Sequence, residues 1–278
     1  MVRLSMNELT TLRWSFDEDV RHYAAAGYDA IAVWRQKVSD FGEAKAIELI
    51  ADNGLSVSAV LWAGGFTGSD GRSYRDSIED ALEAVQLTAD MNAGSLVVYS
   101  GARSGHTHNH ARRLFRNALR ELLPCAQQQG VTLAIEPMHV GCACSWTFLT
   151  DLDETLDLLR SFESPHLKLV FDAYHLGHVP GIVDRLPDLM PLLALVQLGD
   201  ARQPPCGEQN RCRLGSGVLP LQAIVSALVR CGYAGDLDVE LMGEDLESPD
   251  YVELLDHSRQ AVCELLRAAS SRFSATSD

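Results

Sequence analysis

No run of about 18 apolar residues occurs in the 278-residue chain, so it offers no segment that could span a bilayer. Positive charge is also scarce. Against 38 Asp and Glu stand only 23 Lys and Arg, a formal charge of −15. Nucleic acid and anionic membrane surfaces select for basic footprints, and neither is expected as the main partner. The opening residues MVRLSMNELTTLRW lack the apolar core of a secretory signal, and a cytoplasmic location is expected. Seven cysteines, an odd number in a long chain, argue for reduced thiols rather than a disulfide framework. A P-loop, a GxGxxG turn after a strand and a GxSxG elbow are all missing, which removes support for nucleotide binding and serine hydrolysis.

What is present is an ordinary globular composition, 46% hydrophobic and 22% charged, with short β-rich runs alternating with longer helical patterns. Strands are predicted near 3–8, 29–34, 55–62, 94–100, 131–136, 167–172, 193–200 and 236–240. Helices are predicted from Ser15, where Ser15 and Glu18 form a capping box, and over about 43–52, 74–92, 110–129, 151–161, 181–190, 219–230 and from 250. Asn53-Gly54 ends the second of these helices. Eight strands alternating with eight helices imply a parallel sheet covered by helices, and eight unbroken units favour a closed (β/α)8 TIM barrel, an α/β fold. Without a linker or repeat to divide it, the chain reads as one domain over 1–278.

Counting back by two from the strand ends separates two faces. Glu136, Ala134 and Thr132, Asp172, Val170 and Lys168, Gln197, Leu195 and Leu193, and Glu240, Asp238 and Asp236 point inward, while apolar neighbours such as Ile135, Phe171, Val196 and Val239 face the helices. Lys168 is expected to pair with Asp236 or Asp238 low in the barrel.

An active site in such a barrel lies at the C-terminal strand ends. Four successive strands close there on a polar residue: Glu136 in LAIEPMH, Asp172 in LVFDAYH, Gln197 in LVQLGD and Glu240 in DVELMGED, at gaps of 36, 25 and 43 residues. Three crowded carboxylates repel one another unless a cation holds them. Carboxylate and amide oxygens are hard donors that suit Mn²⁺ or Mg²⁺, with Co²⁺ or Zn²⁺ as softer alternatives.

The series IEP, FDAYH, VQLGD and VELMGE resembles the xylose-isomerase-like barrel family of sugar phosphate isomerases and epimerases, ketose 3-epimerases, hydroxypyruvate isomerases and related lyases. The resemblance implies that Glu136, Asp172, Gln197 and Glu240 are the metal ligands. Many members carry His at the third position, so Gln197 is a departure, one shared with 3-dehydroshikimate dehydratases. Further implications are that Glu136 and Glu240 take and return a proton on opposite faces of a substrate, and that His175 contacts substrate or serves as base. Arginines after the seventh strand would meet substrate oxygens. Arg211, before the Gly215-x-Gly217 turn and restrained by Glu208, comes first; Arg202 and Arg213 are further candidates. Members of the family are often dimers or tetramers.

Trp34 and Trp62 end strands two and three and could stack on a sugar face or simply pack. The histidines of HTHNH (His106, His108, His110) fit either a rim metal or the solvated start of a helix. Cys142 and Cys144 with His139 fit either a soft metal or a packed loop. The expected partner is a small polyhydroxylated carbonyl compound and the leading activity a metal-dependent isomerase or epimerase acting through an enediolate. A lyase of the same chemistry, dehydratase-like or keto-glycoside-cleaving, is the alternative, although Arg72 is the first arginine after strand three that could hold a substrate carboxylate. A barrel that binds metal and sugar without turnover is the third reading. The family's likeness to endonuclease IV would demand more histidines at strand ends and a basic groove, which this chain lacks.

Overall fold

The computed structural model describes residues 2–207, 209–247 and 250–274. Strands β1 (Arg3–Asn7), β2 (Ala30–Trp34), β3 (Ser56–Ala63), β4 (Leu96–Val98), β5 (Leu133–Ile135), β6 (Leu167–Asp172), β7 (Leu193–Leu198) and β8 (Asp236–Val239) form a closed parallel barrel in chain order. Around it lie α1 (Phe16–Ala25), α2 (Arg35–Phe41), α3 (Glu43–Asp52), α4 (Tyr74–Asp90), α5 (His108–Gln129), α6 (Leu152–Arg160), α7 (Ala173–Leu176), α8 (Ile182–Leu189), α9 (Leu221–Arg230), α10 (Glu244–Glu247) and α11 (Tyr251–Ser274). Local chemistry starts several of these helices: the Ser15 N–H donates to Glu18 Oε2 at 2.8 Å, and Asp151 accepts the Glu154 N–H at 2.8 Å. Among the described residues no helix is long and apolar enough to cross a membrane.

Strand alternation sorts the apolar residues into two layers, as the side-chain period of two requires. Ala32, Ala59, Val97, Ala134, Val170 and Leu195 fill the barrel, while Ile31, Val33, Ile135, Phe171, Val196 and Val239 pack beneath the helices. The inner layer uses small residues because eight strands leave little room inside.

Three short helices depart from the predicted pattern. The helix α2 has only Lys37 and Val38 buried, too little apolar periodicity to read, and it is separated from α3 by Gly42 at φ 100°. Directly after β6, α7 begins where Asp172 Oδ1 accepts the Tyr174 N–H at 2.7 Å, and α10 follows β8. The expected pairing of Lys168 is not found: its Nζ lies 3.4 Å from the Pro191 carbonyl oxygen. Barrel closure puts Arg3 of β1 in register with Asp236 of β8, and its guanidinium takes both carboxylate oxygens at 2.8 Å. Lys168 sits on β6, with β7 between it and β8.

Candidate active site

The four polar strand-end residues converge at the C-terminal end of the barrel, and all are buried, none more than 3% exposed. Asp172 and Gln197 are register partners on β6 and β7. Gln197 Nε2 donates to Glu240 Oε2 at 2.5 Å, and Glu240 follows β8 directly. Glu136 follows β5; the Tyr99 hydroxyl donates to its Oε2 at 2.8 Å. His175, on the one-turn helix α7, sets Nε2 at 3.5 Å from Glu136 Oε1 and 3.6 Å from Asp172 Oδ2. Its Nδ1 is 3.6 Å from the Cys142 sulfur.

Arg211 enters this group from the loop after β7. Its Nη2 is 2.8 Å from Asp172 Oδ2 and donates to Glu240 Oε1 at 2.8 Å, and its Nη1 donates to Asp172 Oδ1 at 3.2 Å. The guanidinium lies over the Tyr174 ring, 4.4 Å from its centre. Burial opposes its charge, but Asp172 and Glu240 more than offset that and raise its pKa. Room for the side chain comes from Gly199, where a β-carbon would stand 2.7 Å from Nη1. The loop is tied down by Gly207 N–H to the Gly141 carbonyl (2.7 Å), Asn210 N–H to the Tyr174 hydroxyl (2.9 Å) and Arg211 N–H to the Met242 carbonyl (2.7 Å). Asp200 anchors its far end by accepting the N–H groups of Gly215 and Gly217 at 2.9 and 3.0 Å.

Burial raises the Glu136 carboxyl well above its ordinary range, and the charges of Glu240 and Asp172 add to the effect. Burial also lifts Glu240, to about 7, although Arg211 opposes it. Below it, Asp238 is pushed up to about 8 by burial despite donors from Ser5 Oγ (2.8 Å) and Asn7 Nδ2 (2.9 Å). Burial drives His175 down to about 3, against the pull of Asp172, so its imidazole is neutral at neutral pH. These carboxyls bind protons more tightly folded than unfolded. Their stabilisation is present at low pH and lost as pH rises through about 7 for Glu240 and about 8 for Asp238. His175 acts in the opposite sense only below its unfolded value of 6.5. Chelator-treated protein is therefore expected to melt at a lower temperature at about pH 9 than at about pH 6.5, which thermal unfolding checks; an equal or higher melting temperature at the alkaline end would contradict it.

Four buried side-chain atoms in the group have no hydrogen-bond partner: Asp172 Oδ2, Gln197 Oε1, His175 Nε2 and Arg211 Nε. An oxygen or imidazole nitrogen buried without a partner is costly, and a cation relieves that cost. Ligand atoms of Glu136, Asp172 and His175 also lie within 4.8 Å of one another. The donor set thus fits a divalent metal, with His175 brought closer to it than the sequence suggested. Among the described residues neither HTHNH nor His139 with the CAC cysteines forms a second such cluster.

The remaining expected residues divide. Trp34 and Trp62 stack at 6.4 Å, and Trp62 meets Trp146 edge-on at 5.0 Å. Arg202 is exposed and lines a cavity of about 270 Å³ together with Arg211 and Tyr174; Arg213 pairs with Glu253 at 2.7 Å. Of the three loop arginines, only Arg211 is buried among the strand-end carboxylates. Glu208 lies outside the described residues, and Gln209 Oε1 accepts from Arg211 Nη2 at 2.9 Å. Arg72 pairs with Asp70 and Asp80 at 2.7 and 2.8 Å. His108 of HTHNH bonds Glu154 at 2.7 Å in the first turn of α5, and Cys142 is buried, its thiol pushed up to about 11 by burial. Tyr99, Trp146 and Asn7 escaped the sequence reading. The strand-end rule applied to β1 and β4 would have found Asn7 and Tyr99.

A cavity of about 600 Å³ opens beside the centre, lined by Leu9, Trp146, Leu241, Met242 and Tyr251 among others. Cys142 and Gln209 also line it and connect it to His175 and Arg211.

A family model described as xylose isomerase-like TIM barrel matches residues 20–261. L-ribulose-5-phosphate 3-epimerase UlaE of Escherichia coli O1:K1 / APEC is 25% identical over 190 residues, 66% of this chain; the match spans 62% of that relative's length. Protein SMc04130 from Sinorhizobium meliloti 1021 superposes with a TM-score of 0.87 at 26% identity, covering 94% of this chain and 98% of that one. The IOLI protein, solved with a bound zinc atom, superposes with a TM-score of 0.81 at 18% identity, covering 95% of this chain and 98% of that one, a likeness of fold.

Proposed function

Because the chain belongs to the xylose isomerase-like TIM barrel family, we propose that it is an isomerase or epimerase of a small polyhydroxylated ketone, moving a proton on the carbon beside the carbonyl. The observation that carries this reading is the pair Glu136 and Glu240, two buried carboxyls beyond β5 and β8, both lifted above the usual carboxylate range. A carboxylate with a pKa near neutrality can take a proton from carbon and give it back. Tyr99 holds Oε2 of Glu136, while Gln197 and Asn7 hold Oε2 of Glu240, the latter at 3.1 Å. The Oε1 atoms are the working atoms, that of Glu136 facing His175 Nε2 at 3.5 Å and that of Glu240 accepting from Arg211 Nη2 at 2.8 Å. Glu240 takes the proton from one face, an enediolate results, and Glu136 returns a proton to the other face.

Glu136, Asp172, Gln197 and Glu240 are the proposed ligands of a divalent cation, with His175 adjoining them. Such a cation, Mn²⁺ or Mg²⁺ for oxygen donors and Zn²⁺ where the imidazole joins, supplies Lewis-acid polarisation of the substrate carbonyl. The zinc bound by a protein of the same fold and the epimerase activity of the 25% identical relative both support the reading. Trp34, Trp62 and Trp146 offer ring faces to the C–H side of a sugar, and His175 and Arg211 offer polar contacts to its oxygens.

The test is incubation of Mn²⁺-loaded protein with ketoses and ketose phosphates in deuterated water, followed by NMR. Deuterium is expected at the carbon next to the carbonyl, together with the epimer or isomer. Loss of water or of an aglycone instead would assign the chain to the lyases. Absence of exchange from protein that demonstrably holds metal would reject a proton-transfer role.

A further inference from the structure

Two of the proposed metal ligands already have a cation between them. Arg211 lies 2.8 Å from both Asp172 Oδ2 and Glu240 Oε1, and its side chain and that of Asp172 are fully buried. The fit is incomplete on both sides. Asp172 Oδ2, although close to Nη2, has no hydrogen bond in line; Gln197 Oε1 has none either, and Arg211 Nε is buried without an acceptor. The guanidinium therefore cancels charge while leaving lone pairs and an N–H unmet. A planar donor fork cannot serve oxygens that converge on a point, whereas a metal ion can. The two cations also compete for the pair, since like charges held close together in a buried site repel strongly.

We propose that Arg211 is the counter-ion of the metal-free centre, and that a divalent metal and the Arg211 guanidinium are alternative occupants of the Asp172–Glu240 pair. Metal binding then drives Arg211 off the two carboxylates. This rests on the reading of the centre as a metal site. It has a consequence for access, because Gln209 bonds Arg211 at 2.9 Å and also lines the 600 Å³ cavity. With all six residues of the centre at most 3% exposed, withdrawal of Arg211 opens a path from that cavity to the carboxylates. The released guanidinium is then free to meet substrate oxygens. Arg211 is in this sense a positioning residue: before metal arrives it keeps two repelling carboxylates in place.

Calorimetric titration with Mn²⁺, in mildly alkaline buffer so that protons do not take the arginine's place, tests the exchange. Arg211→Met is expected to bind Mn²⁺ about 5- to 100-fold more tightly than the wild type, the range of typical coupling between sites. Its metal-free form is expected to melt below the wild type and the gap to close on saturation with Mn²⁺. Should Arg211→Met fail to fold, Gly199→Ala decides the matter. Its new β-carbon stands 2.7 Å from Nη1, at the end of a flexible side chain, and 3.1 Å from the Glu240 carbonyl oxygen; the tighter contact falls on the guanidinium, which it displaces while keeping its charge in the protein. It too is expected to bind Mn²⁺ more tightly. Wild-type protein that binds Mn²⁺, with both variants binding it equally or more weakly, overturns the exchange but leaves the metal site standing. Wild-type protein that binds no divalent metal overturns both.

Discussion

Glu240→Gln is expected to lower the rate of epimerisation or isomerisation by about 10³-fold, within the roughly 10²–10⁴ that a positioned general acid or base contributes. The substitution keeps the shape of the side chain and removes its ability to hold a proton. Its surroundings make the loss hard to repair. Asn7 and Gln197 donate to Oε2 and Arg211 donates to Oε1, so an amide in that position must turn its NH₂ towards at least one donor. Asp238, the next carboxyl down β8, is not free to stand in, because it lies lower in the barrel, bonded to Ser5 and Asn7. Glu136→Gln is expected to act comparably. If the two glutamates work on opposite faces, solvent deuterium still enters from the epimer whose C–H faces the surviving glutamate, provided metal is retained, while net epimerisation is lost. The measurement is NMR exchange on metal-quantified protein, with circular dichroism to show that each variant is folded. A variant that keeps more than about a tenth of the wild-type rate would remove Glu240 from the acid–base role.

The second large effect concerns stability. Lys37→Met is expected to destabilise the protein by about 3–5 kcal/mol, the cost of removing one partner of a buried ion pair. Lys37 Nζ lies 2.5 Å from Asp19 Oδ2 and 3.1 Å from the Thr11 carbonyl, and Asp19 and Glu8 are both fully buried. Burial raises the pKa of both carboxyls while Lys37 pulls them down, so the variant leaves two buried acids without their cation. At roughly 2–4 °C per kcal/mol for a domain of this size, the melting temperature should fall by on the order of 10 °C at neutral pH. Both acids are raised, so their protonation at lower pH relieves the repulsion, and the gap between variant and wild type should narrow as pH falls. A gap below about 3 °C, or one that does not change with pH, would show that the cluster is already neutral without its lysine. Because Glu8 Oε2 also accepts the Trp34 N–H at 2.6 Å, the same substitution reaches the aromatic wall beside the centre.

Much of the barrel was legible from periodicity. The two faces of each strand differ in kind along the chain itself, and the inward residues Ala134, Val170 and Leu195 and outward ones such as Phe171 and Val196 fall where a period of two puts them. The convergence of Glu136, Asp172, Gln197 and Glu240 follows from the same rule, since each sits at the end of a strand and strand ends share one rim. Strand limits were less legible: β4 and β5 cover only Leu96–Val98 and Leu133–Ile135, because pairing with both neighbours, not propensity, sets where a ladder ends.

The expected partners failed where distance along the chain was greatest. Arg3 and Asp236 are 233 residues apart, and closure of β1 on β8, rather than any local signal, made them a pair in place of Lys168. Lys37 is similarly explained by Asp19, Glu8 and the Thr11 carbonyl, which come from other elements.

Alone, the sequence determined the α/β alternation, the single closed barrel and the strand-end carboxylates and amide, because hydrophobic period and strand ends are local properties of a chain. Tertiary structure decided which atoms those residues offer and to whom. It turned Arg211 onto Asp172 and Glu240, set His175 against Glu136 and Asp172, and gave Gln197 a hydrogen bond to Glu240 that leaves its carbonyl oxygen bare. Those outcomes depend on side-chain direction, burial and charge balance among residues tens to hundreds of positions apart, which exist only once the barrel has closed.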